Sequence, residues 1–375
     1  MLKSVTVGNF RAFSEKNPVT IDFSATGKYD YNTDCIKDGV VKTAIMYGKN
    51  ASGKSSLAYA IFDIVSNLTD KYVDARNYRN YRNALTPDAP TSFTFVFVLR
   101  DVEVKYSYRK TSLRTFVSET LSIGNKPVID YDRSVSSGDF EVNLEGAETL
   151  QKDLRNLEIS ALKWVKNNTS LVDTETNRVF ADLFAFVNRM LLFWSLEDRS
   201  FIGYSAISNG SIVDEIIENG QFDELKQFFI EAGFEDELTH SNKSGKEELY
   251  LRFGEIDVEF SSARSTGMSS LLLVFYWLSS LKDKESPPSF ICIDEFDAFY
   301  HFELSRFVVR KLRQSDCQVL LTTHNTALFS NDILRPDCYY ICAKDRIVNA
   351  HNATPKELRQ GHNLEKLYRG GTFGL

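Results

Sequence analysis

The chain has 375 residues, of which 43% are hydrophobic and 25% charged, values typical of a globular protein and not of a disordered chain or collagen. Its formal net charge of −7 means that binding to nucleic acid or to an anionic membrane would need a local basic patch. The longest apolar run, residues 268–281, contains serines and is too short to span a bilayer. The first residues lack a signal-peptide pattern, and the five scattered cysteines lack a zinc-site spacing, so we expect a reduced cytoplasmic protein.

The first 125 residues alternate between strand-like and turn-like segments. Alternating apolar and β-branched residues predict strands, which cover residues 2–7, 19–23, 40–47, 92–99, 103–110 and 114–123. From Lys54 the apolar residues recur at helical spacing, so a strand, a glycine-bearing loop and a helix follow one another there. The last three strands indicate an antiparallel sheet.

The remaining two thirds of the chain begin with a mainly helical pattern. Residues 148–232 contain two apolar stripes of helical spacing, over 179–191 and 222–229. Beyond them, the predicted elements are strands over 249–253 and 256–260, a helix after Ser265, and buried strands over 290–293 and 319–322 that flank a helix over 303–312. Apolar strands that alternate with helices indicate an α/β fold with a mostly parallel sheet covered on both faces.

A phosphate-binding loop is the most specific motif. Residues 48–55, GKNASGKS, match GxxxxGK[ST] at every required position, between a predicted strand and a predicted helix. Backbone N–H groups of such a loop surround a triphosphate at the helix N-terminus. We expect Lys54 to reach the β- and γ-phosphates and Ser55 to bind Mg²⁺. The predicted ATP-binding residues here are Gly48, Lys49, Asn50, Ala51, Ser52, Gly53, Lys54, Ser55 and Ser56.

Two later apolar strands end in polar residues. The strand over 290–293 leads into Asp294 and Glu295, which predicts Asp294 as a Mg²⁺ ligand and Glu295 as the general base that polarises water. The strand over 319–322 leads towards His324, a candidate hydrogen-bond donor to the γ-phosphate. The structural alternatives are an acidic turn after the strand and a histidine with a purely structural role.

A serine and a glycine precede the strongly apolar helix of the second half. The hydroxyl of Ser265 and the amide of Gly267 would give an anion-binding feature at the helix N-terminus. The alternative is that Ser265 simply caps the helix.

Taken in this order, the motifs resemble those of an ABC-class ATPase of AAA type, in the SMC, RecF and OLD group. The resemblance implies a P-loop NTPase of ABC-ATPase type, with a mixed sheet, an antiparallel β-subdomain and a helical insertion. The implied ranges are 1–130 for the first ATPase lobe, 131–245 for the insertion and 246–375 for the second lobe. Residues 9–13, NFRAF, resemble a stretch of this group in which the arginine, here Arg11, touches the phosphates.

Other parts of the chain match this group less closely. Residues 297–301 occupy the position of the group's D-loop but depart from its usual pattern. The Q-loop has two candidate positions, Gln151 and residues 167–170. Residues 368–374 are similar to the endings of stand-alone bacterial and phage-defence ATPases. The resemblance implies that ATP and Mg²⁺ are clamped between two copies of the chain, with Ser265 and Gly267 acting across the dimer interface.

The resemblance also suggests what the chain works with. Only 51 residues follow His324, too few for the nuclease domain of OLD proteins, so we expect a slow ATPase switch in anti-phage defence with a separate effector, a nuclease or a toxin. The alternative is a RecF-like repair protein that binds DNA through the basic and aromatic residues Arg76, Tyr78, Arg79, Tyr81 and Arg82. A third possibility is that the nucleotide is a static structural ligand.

Overall fold

The computed structural model describes residues 1–71, 81–133, 140–154, 158–194, 201–203, 212–243, 245–280 and 287–374. The strands are β1 (Leu2–Gly8), β2 (Val19–Asp22), β3 (Ile36–Lys37), β4 (Val40–Val41), β5 (Thr43–Tyr47), β6 (Thr91–Leu99), β7 (Val102–Lys110), β8 (Phe116–Ile123), β9 (Lys126–Asp132), β10 (Glu141–Val142), β11 (Met190–Trp194), β12 (Phe201–Gly203), β13 (Glu237–Lys243), β14 (Lys246–Phe253), β15 (Ile256–Glu259), β16 (Phe290–Asp294), β17 (Gln318–Thr323), β18 (Tyr339–Ala343) and β19 (Arg346–Asn349). The helices are α1 (Lys54–Leu68), α2 (Ala161–Asn168), α3 (Glu175–Asn188), α4 (Ile212–Glu218), α5 (Phe222–Glu231), α6 (Phe260–Ala263), α7 (Thr266–Ser280), α8 (Phe302–Arg313) and α9 (Leu364–Arg369).

The central sheet brings together strands from distant parts of the chain. Its order is β12-β11-β16-β17-β5-β18-β19, and its five inner strands are parallel. The edge strands β12 and β19 are antiparallel to their neighbours. All residues of β5, β16 and β17 are buried, as expected for parallel strands with helices on both faces. Because the inner strands are parallel, their carboxyl ends meet at one edge of the sheet, which is where ligands bind in such folds.

A second sheet is antiparallel throughout, with the order β10-β9-β8-β7-β6-β1-β2. Buried and partly buried residues alternate along β6, so one face of this sheet is directed into the core. Lys110 of β7 makes a fully buried ion pair with Asp63 of α1, at 2.6 Å between Nζ and Oδ1. The antiparallel sheet is therefore joined to the helix that follows the phosphate-binding loop.

This architecture confirms the prediction of a P-loop α/β fold with a mixed sheet and an antiparallel β-subdomain. The prediction of a helix through Met190 and Leu191 was wrong, because both residues lie in β11, which pairs in parallel with β16. Five consecutive buried apolar residues have no period that separates a strand from a helix. The division into ranges 1–130, 131–245 and 246–375 stays a prediction, and β11 places part of the middle range in the central sheet.

Within the described ranges, no helix is both long and apolar enough to cross a membrane. All five cysteines are free and buried. The described residues contain no cluster of three or more histidine, cysteine or carboxylate side chains that could hold a metal ion.

Candidate nucleotide-binding site

An open cleft of about 340 Å³ lies at the carboxyl edge of the central sheet. Its lining comes from the two halves of the chain and consists of Ala12, Asn50, Ala51, Ser52, Gly53, Lys54, Ser55, Ser56, Glu295 and His324. The predicted phosphate-binding loop thus faces the predicted general base and the predicted histidine. The topology explains this arrangement, because β5, β16 and β17 all end at this edge.

The loop after β5 has a backbone that depends on two glycines. Gly53 has φ +110°, and a Cβ there would lie 2.9 Å from Cε1 of Phe13. At Gly48 a Cβ would lie 2.3 Å from Oγ of Ser52 and 2.8 Å from the carbonyl oxygen of Cys342. Both positions therefore exclude a side chain. A glycine-bearing loop at the start of a helix is suited to bind an anion.

Lys54 is the buried cation of the cleft, with a side chain folded back onto the loop. Its Nζ donates to the carbonyl oxygens of Gly48 at 2.9 Å and Lys49 at 3.3 Å, and lies 3.4 Å from Nδ1 of His324. Burial lowers the pKa of Lys54, and nearby acidic groups, including Asp294 and Glu295, oppose that shift. Among the described residues, the partners of the ammonium are two carbonyl oxygens and a histidine, an environment that suits a phosphate group.

Glu295 and His324 face each other across the cleft. Nε2 of His324 lies 3.5 Å from Oε1 of Glu295, and each side chain is about one-third exposed. His324 therefore lies between the lysine of the loop and the carboxylate after β16. The three side chains could together contact the terminal phosphate and a water molecule beside it.

The predicted Mg²⁺ ligands fit an oxygen-binding cation. Ser55 is exposed in the cleft, and the Asp294 carboxyl is buried at the end of β16, where the Thr322 hydroxyl donates a hydrogen bond to its Oδ1. Hydroxyl and carboxylate oxygens are ligands that Mg²⁺ prefers. Their role in binding the cation remains a prediction.

Arg11 lies beside the cleft and stacks on an aromatic ring. Its guanidinium carbon is 3.8 Å from the centroid of Tyr59, a residue of α1, and its backbone has φ +48°. The neighbouring residue Ala12 lines the cleft, whereas Arg11 is not among the lining residues described. The contact between Arg11 and phosphate stays a prediction.

Ser265 and Gly267 lie at the start of α7. The Ser265 hydroxyl accepts a hydrogen bond from the backbone N–H of Met268 at 3.2 Å, so Ser265 caps the helix and is also exposed. A Cβ on Gly267 would lie 3.1 Å from the carbonyl oxygen of Phe299, within the predicted D-loop. Neither residue is among those described as lining the cleft of the same chain.

The remaining predicted site residues lie elsewhere. The backbone carbonyl of Gln151 accepts a hydrogen bond from the Trp164 indole, and neither Gln151 nor residues 167–170 are among the cleft residues described. In the proposed DNA-binding segment, Tyr81 is buried, and its carbonyl accepts the backbone N–H of Arg11. This burial disfavours a contact between Tyr81 and single-stranded bases, which belongs to the DNA-binding alternative. Arg76, Tyr78 and Arg79 lie outside the described residues.

Sequence reasoning missed three residues that shape the site: Ala12, Thr322 and Cys342. Thr322 contacts both carboxylate-bearing residues after β16, and the Sγ of Cys342 lies 3.5 Å from the carbonyl oxygen of Ser52. Cys342 belongs to β18, which pairs in parallel with β5. The positions of Ala12, next to Arg11, and of Thr322, two residues before His324, could have identified these two, whereas the contact of Cys342 depends on strand order.

Comparison with known proteins identifies a matching family. The family model described as "AAA domain, putative AbiEii toxin, Type IV TA system" matches residues 44–330. No curated protein matches the sequence.

Solved structures of SMC heads are similar at low sequence identity. The SMC head domain from Thermotoga maritima is 16% identical, with 93% of this chain and 98% of that chain covered and a TM-score of 0.44. The SmcHead bound to the C-winged helix domain of ScpA is 15% identical, with 93% and 97% covered and a TM-score of 0.47. The head from Pyrococcus furiosus with an extended coiled coil, bound to the C-terminal domain of ScpA, is 12% identical, with 93% and 96% covered and a TM-score of 0.45.

The family match spans both the phosphate-binding loop and the strands that carry Asp294 and His324. It confirms the recognition of an AAA-type ATPase from the motifs. Since the match covers well over half of the chain, this protein belongs to the family described as AAA domain, putative AbiEii toxin, Type IV TA system.

Proposed function

We propose that this protein is an ATP-hydrolysing switch that dimerises around nucleotide and controls a separate effector in anti-phage defence. The main support for the proposal is that the side chains of Lys54, Glu295 and His324 lie close together in one cleft. They lie beside a loop whose glycines exclude side chains. An anion-binding loop alone would suit any phosphate ligand. A carboxylate and a histidine opposite the lysine suit hydrolysis of a terminal phosphate.

Each side chain has a distinct task in this proposal. Lys54 and the loop amides bind the β- and γ-phosphates, and the Glu295 carboxylate accepts a proton from the attacking water. His324 bridges the two and donates a hydrogen bond to the γ-phosphate. Ser55 and Asp294 would hold Mg²⁺, which supplies positive charge against the phosphate oxygens.

The second half of each site would come from another copy of the chain. Ser265 is exposed at the N-terminus of α7 and, in the part of the chain described, is separate from the lining of its own cleft. A serine hydroxyl at a helix N-terminus is suited to contact a γ-phosphate. A symmetric dimer would place Ser265 and Gly267 of one copy on the nucleotide of the other, which gives two composite sites.

In this proposal the switch acts on a separate effector. The description of the matching family names a toxin and a type IV TA system, which favours a role in defence. The effector would be a nuclease or a toxin encoded separately. The RecF-like alternative has less support because Tyr81, one of its two aromatic residues, is buried.

Replacement of Glu295 by glutamine tests hydrolysis and switching together. The Glu295→Gln variant keeps the size of the side chain and loses the base, so we expect kcat to fall at least about 100-fold while ATP still binds. The variant should remain dimeric with ATP when analysed by light scattering. The matched control is Glu303→Gln, an exposed position in α8. An unchanged hydrolysis rate in Glu295→Gln would remove this residue from the proposed role.

Mixing two inactive variants tests whether the site is composite. Lys54→Ala and Ser265→Arg should each abolish hydrolysis alone. In a 1:1 mixture, half of the dimers contain one copy of each variant. In such a mixed dimer one of the two sites is intact, because it combines the unchanged Lys54 of one copy with the unchanged Ser265 of the other. About one quarter of the wild-type rate should therefore return if the sites act independently. Absence of any recovery, with mixed dimers demonstrated by tagged copies, would contradict a site shared between subunits.

A further inference from the structure

The Thr322 side chain connects Asp294, the last residue of β16, with Glu295, which follows it. It lies in β17 beside the end of β16 and is buried, with only 1% of its surface exposed. Its hydroxyl donates a hydrogen bond to Oδ1 of Asp294 and accepts one from the backbone N–H of Glu295 at 2.8 Å. A hydroxyl has one proton to donate and lone pairs to accept, so both bonds can form simultaneously.

The second bond holds an unusual backbone conformation. Glu295 has φ +48°, in the left-handed region that residues other than glycine rarely adopt. The next residue, Phe296, donates its backbone N–H to the carbonyl oxygen of Thr322 at 3.1 Å. Thr322 therefore anchors the turn after β16 twice, once through its side chain and once through its backbone.

The turn determines where the two carboxyl groups point. In an extended strand, successive side chains point to opposite faces, whereas the left-handed turn at Glu295 directs its carboxyl towards Nε2 of His324. The bond from Thr322 engages Oδ1 of Asp294 and so restricts the orientation of that carboxyl group. One hydroxyl thus orients the predicted metal ligand and the predicted base.

We propose that Thr322 is a positioning residue for hydrolysis, whose hydroxyl fixes Asp294 for the divalent cation and Glu295 for the attacking water. This inference rests on the proposed ATPase function. Thr322 itself would contact neither the nucleotide nor the cation. It would act through Asp294 and Glu295, which would. The hydroxyl is the required feature, so a serine at position 322 should keep the hydrolytic activity and a valine should not.

The chain offers a matched control for the valine substitution. Thr43 lies in β5 of the same sheet and is completely buried, and its hydroxyl has no hydrogen-bond partner among the described residues. Thr43→Val and Thr322→Val therefore make the same chemical change at equal burial. Only Thr322→Val removes two hydrogen bonds to the turn that carries Glu295.

The test compares Thr322→Val, Thr322→Ser and Thr43→Val in the full chain. For Thr322→Val we expect kcat to fall at least about tenfold with KM for ATP changed less than about threefold, because loop contacts remain. A second readout needs no turnover: binding of Mn²⁺ in the presence of ADP, followed by electron paramagnetic resonance, should weaken at least about threefold. Thr322→Ser and Thr43→Val should match the wild type in both measurements.

Each outcome decides the inference. Equal kcat and equal Mn²⁺ binding in Thr322→Val and the wild type would overturn the inference on Thr322. A wild-type protein that does not hydrolyse ATP would instead overturn the proposed function. If Thr322→Val does not unfold cooperatively, Thr322→Cys takes its place, since a thiol keeps the volume and is a weaker donor. Failure of Thr322→Ser to restore activity in a folded protein would also contradict a role of the hydroxyl.

Discussion

A buried glutamate in the antiparallel sheet predicts a pH-dependent stability. Glu119 of β8 has no exposed surface, and it accepts hydrogen bonds from Tyr106 Oη at 2.8 Å, Ser160 Oγ at 2.7 Å and Ala161 N at 2.6 Å. The last two donors belong to the start of α2, so Glu119 fixes this helix on the sheet. Burial raises the pKa of the Glu119 carboxyl from 4.5 to about 7, against the opposing effect of these donors.

The raised pKa determines the sign and the size of the effect. A group whose pKa is higher in the folded state stabilises the fold fully below its unfolded pKa of 4.5, and the contribution is lost as pH rises through about 7. At 1.36 kcal/mol per pKa unit, the whole difference is worth about 3 kcal/mol, of which about 2.5 kcal/mol should disappear between pH 5 and pH 8.

Urea unfolding of the wild type and Glu119→Gln at several pH values measures this contribution. The free energy of unfolding of the wild type should fall relative to Glu119→Gln by about 2.5 kcal/mol between pH 5 and pH 8. The exposed Glu103→Gln variant serves as the control, and its difference from the wild type should stay constant over this range. A constant difference for Glu119→Gln as well would refute the argument that this carboxyl is neutral in the fold at pH 5.

Two further predictions concern the helix that follows the phosphate-binding loop. Gly53→Ala should weaken binding of a fluorescent ATP analogue at least about tenfold, because Gly53 has φ +110° and the new Cβ would clash with Phe13. The control is Gly39→Ala, because Gly39 also has a positive φ, +72°, but no described atom lies within 4 Å of the new Cβ. This control should leave the affinity unchanged. Lys110→Met should lower the free energy of unfolding by about 3–5 kcal/mol in urea titrations, because it leaves the Asp63 carboxylate buried without its ammonium partner. Adding Asp63→Asn to this variant should restore part of the lost stability. An equal loss in the double variant would contradict this explanation.

The features that the sequence predicted correctly are local ones. The loop over residues 48–55 was identified from the spacing of its glycines, lysine and serine, all within one turn between a strand and a helix. Asp294 and His324 were identified because each follows a short apolar run that is a buried strand in the fold. Parallel pairing then brings both to the edge where Lys54 begins α1, so correct local elements were sufficient to place these residues at one edge of the sheet.

Features that depend on distant contacts were not predictable in this way. Met190 and Leu191 continue an apolar stripe of helical spacing, which predicts a helix, and only the pairing of β11 with β16 makes them part of a strand. Tyr81 belongs to the basic and aromatic segment of the DNA-binding alternative, yet its ring packs against Phe10 at 6.1 Å between centroids. The stacking of Arg11 on Tyr59 likewise joins residues 48 positions apart, and no local pattern encodes it.

The position of β5 has a consequence for how the cleft forms. This strand comes from the first fifty residues, yet it lies between β17 and β18, which come from the last sixty. Lys54 can therefore approach His324 only when the two ends of the chain have paired within one sheet. Nucleotide binding and hydrolysis should consequently require the complete central sheet, and under the proposed dimer the exposed Ser265 adds a second requirement, the presence of another folded copy.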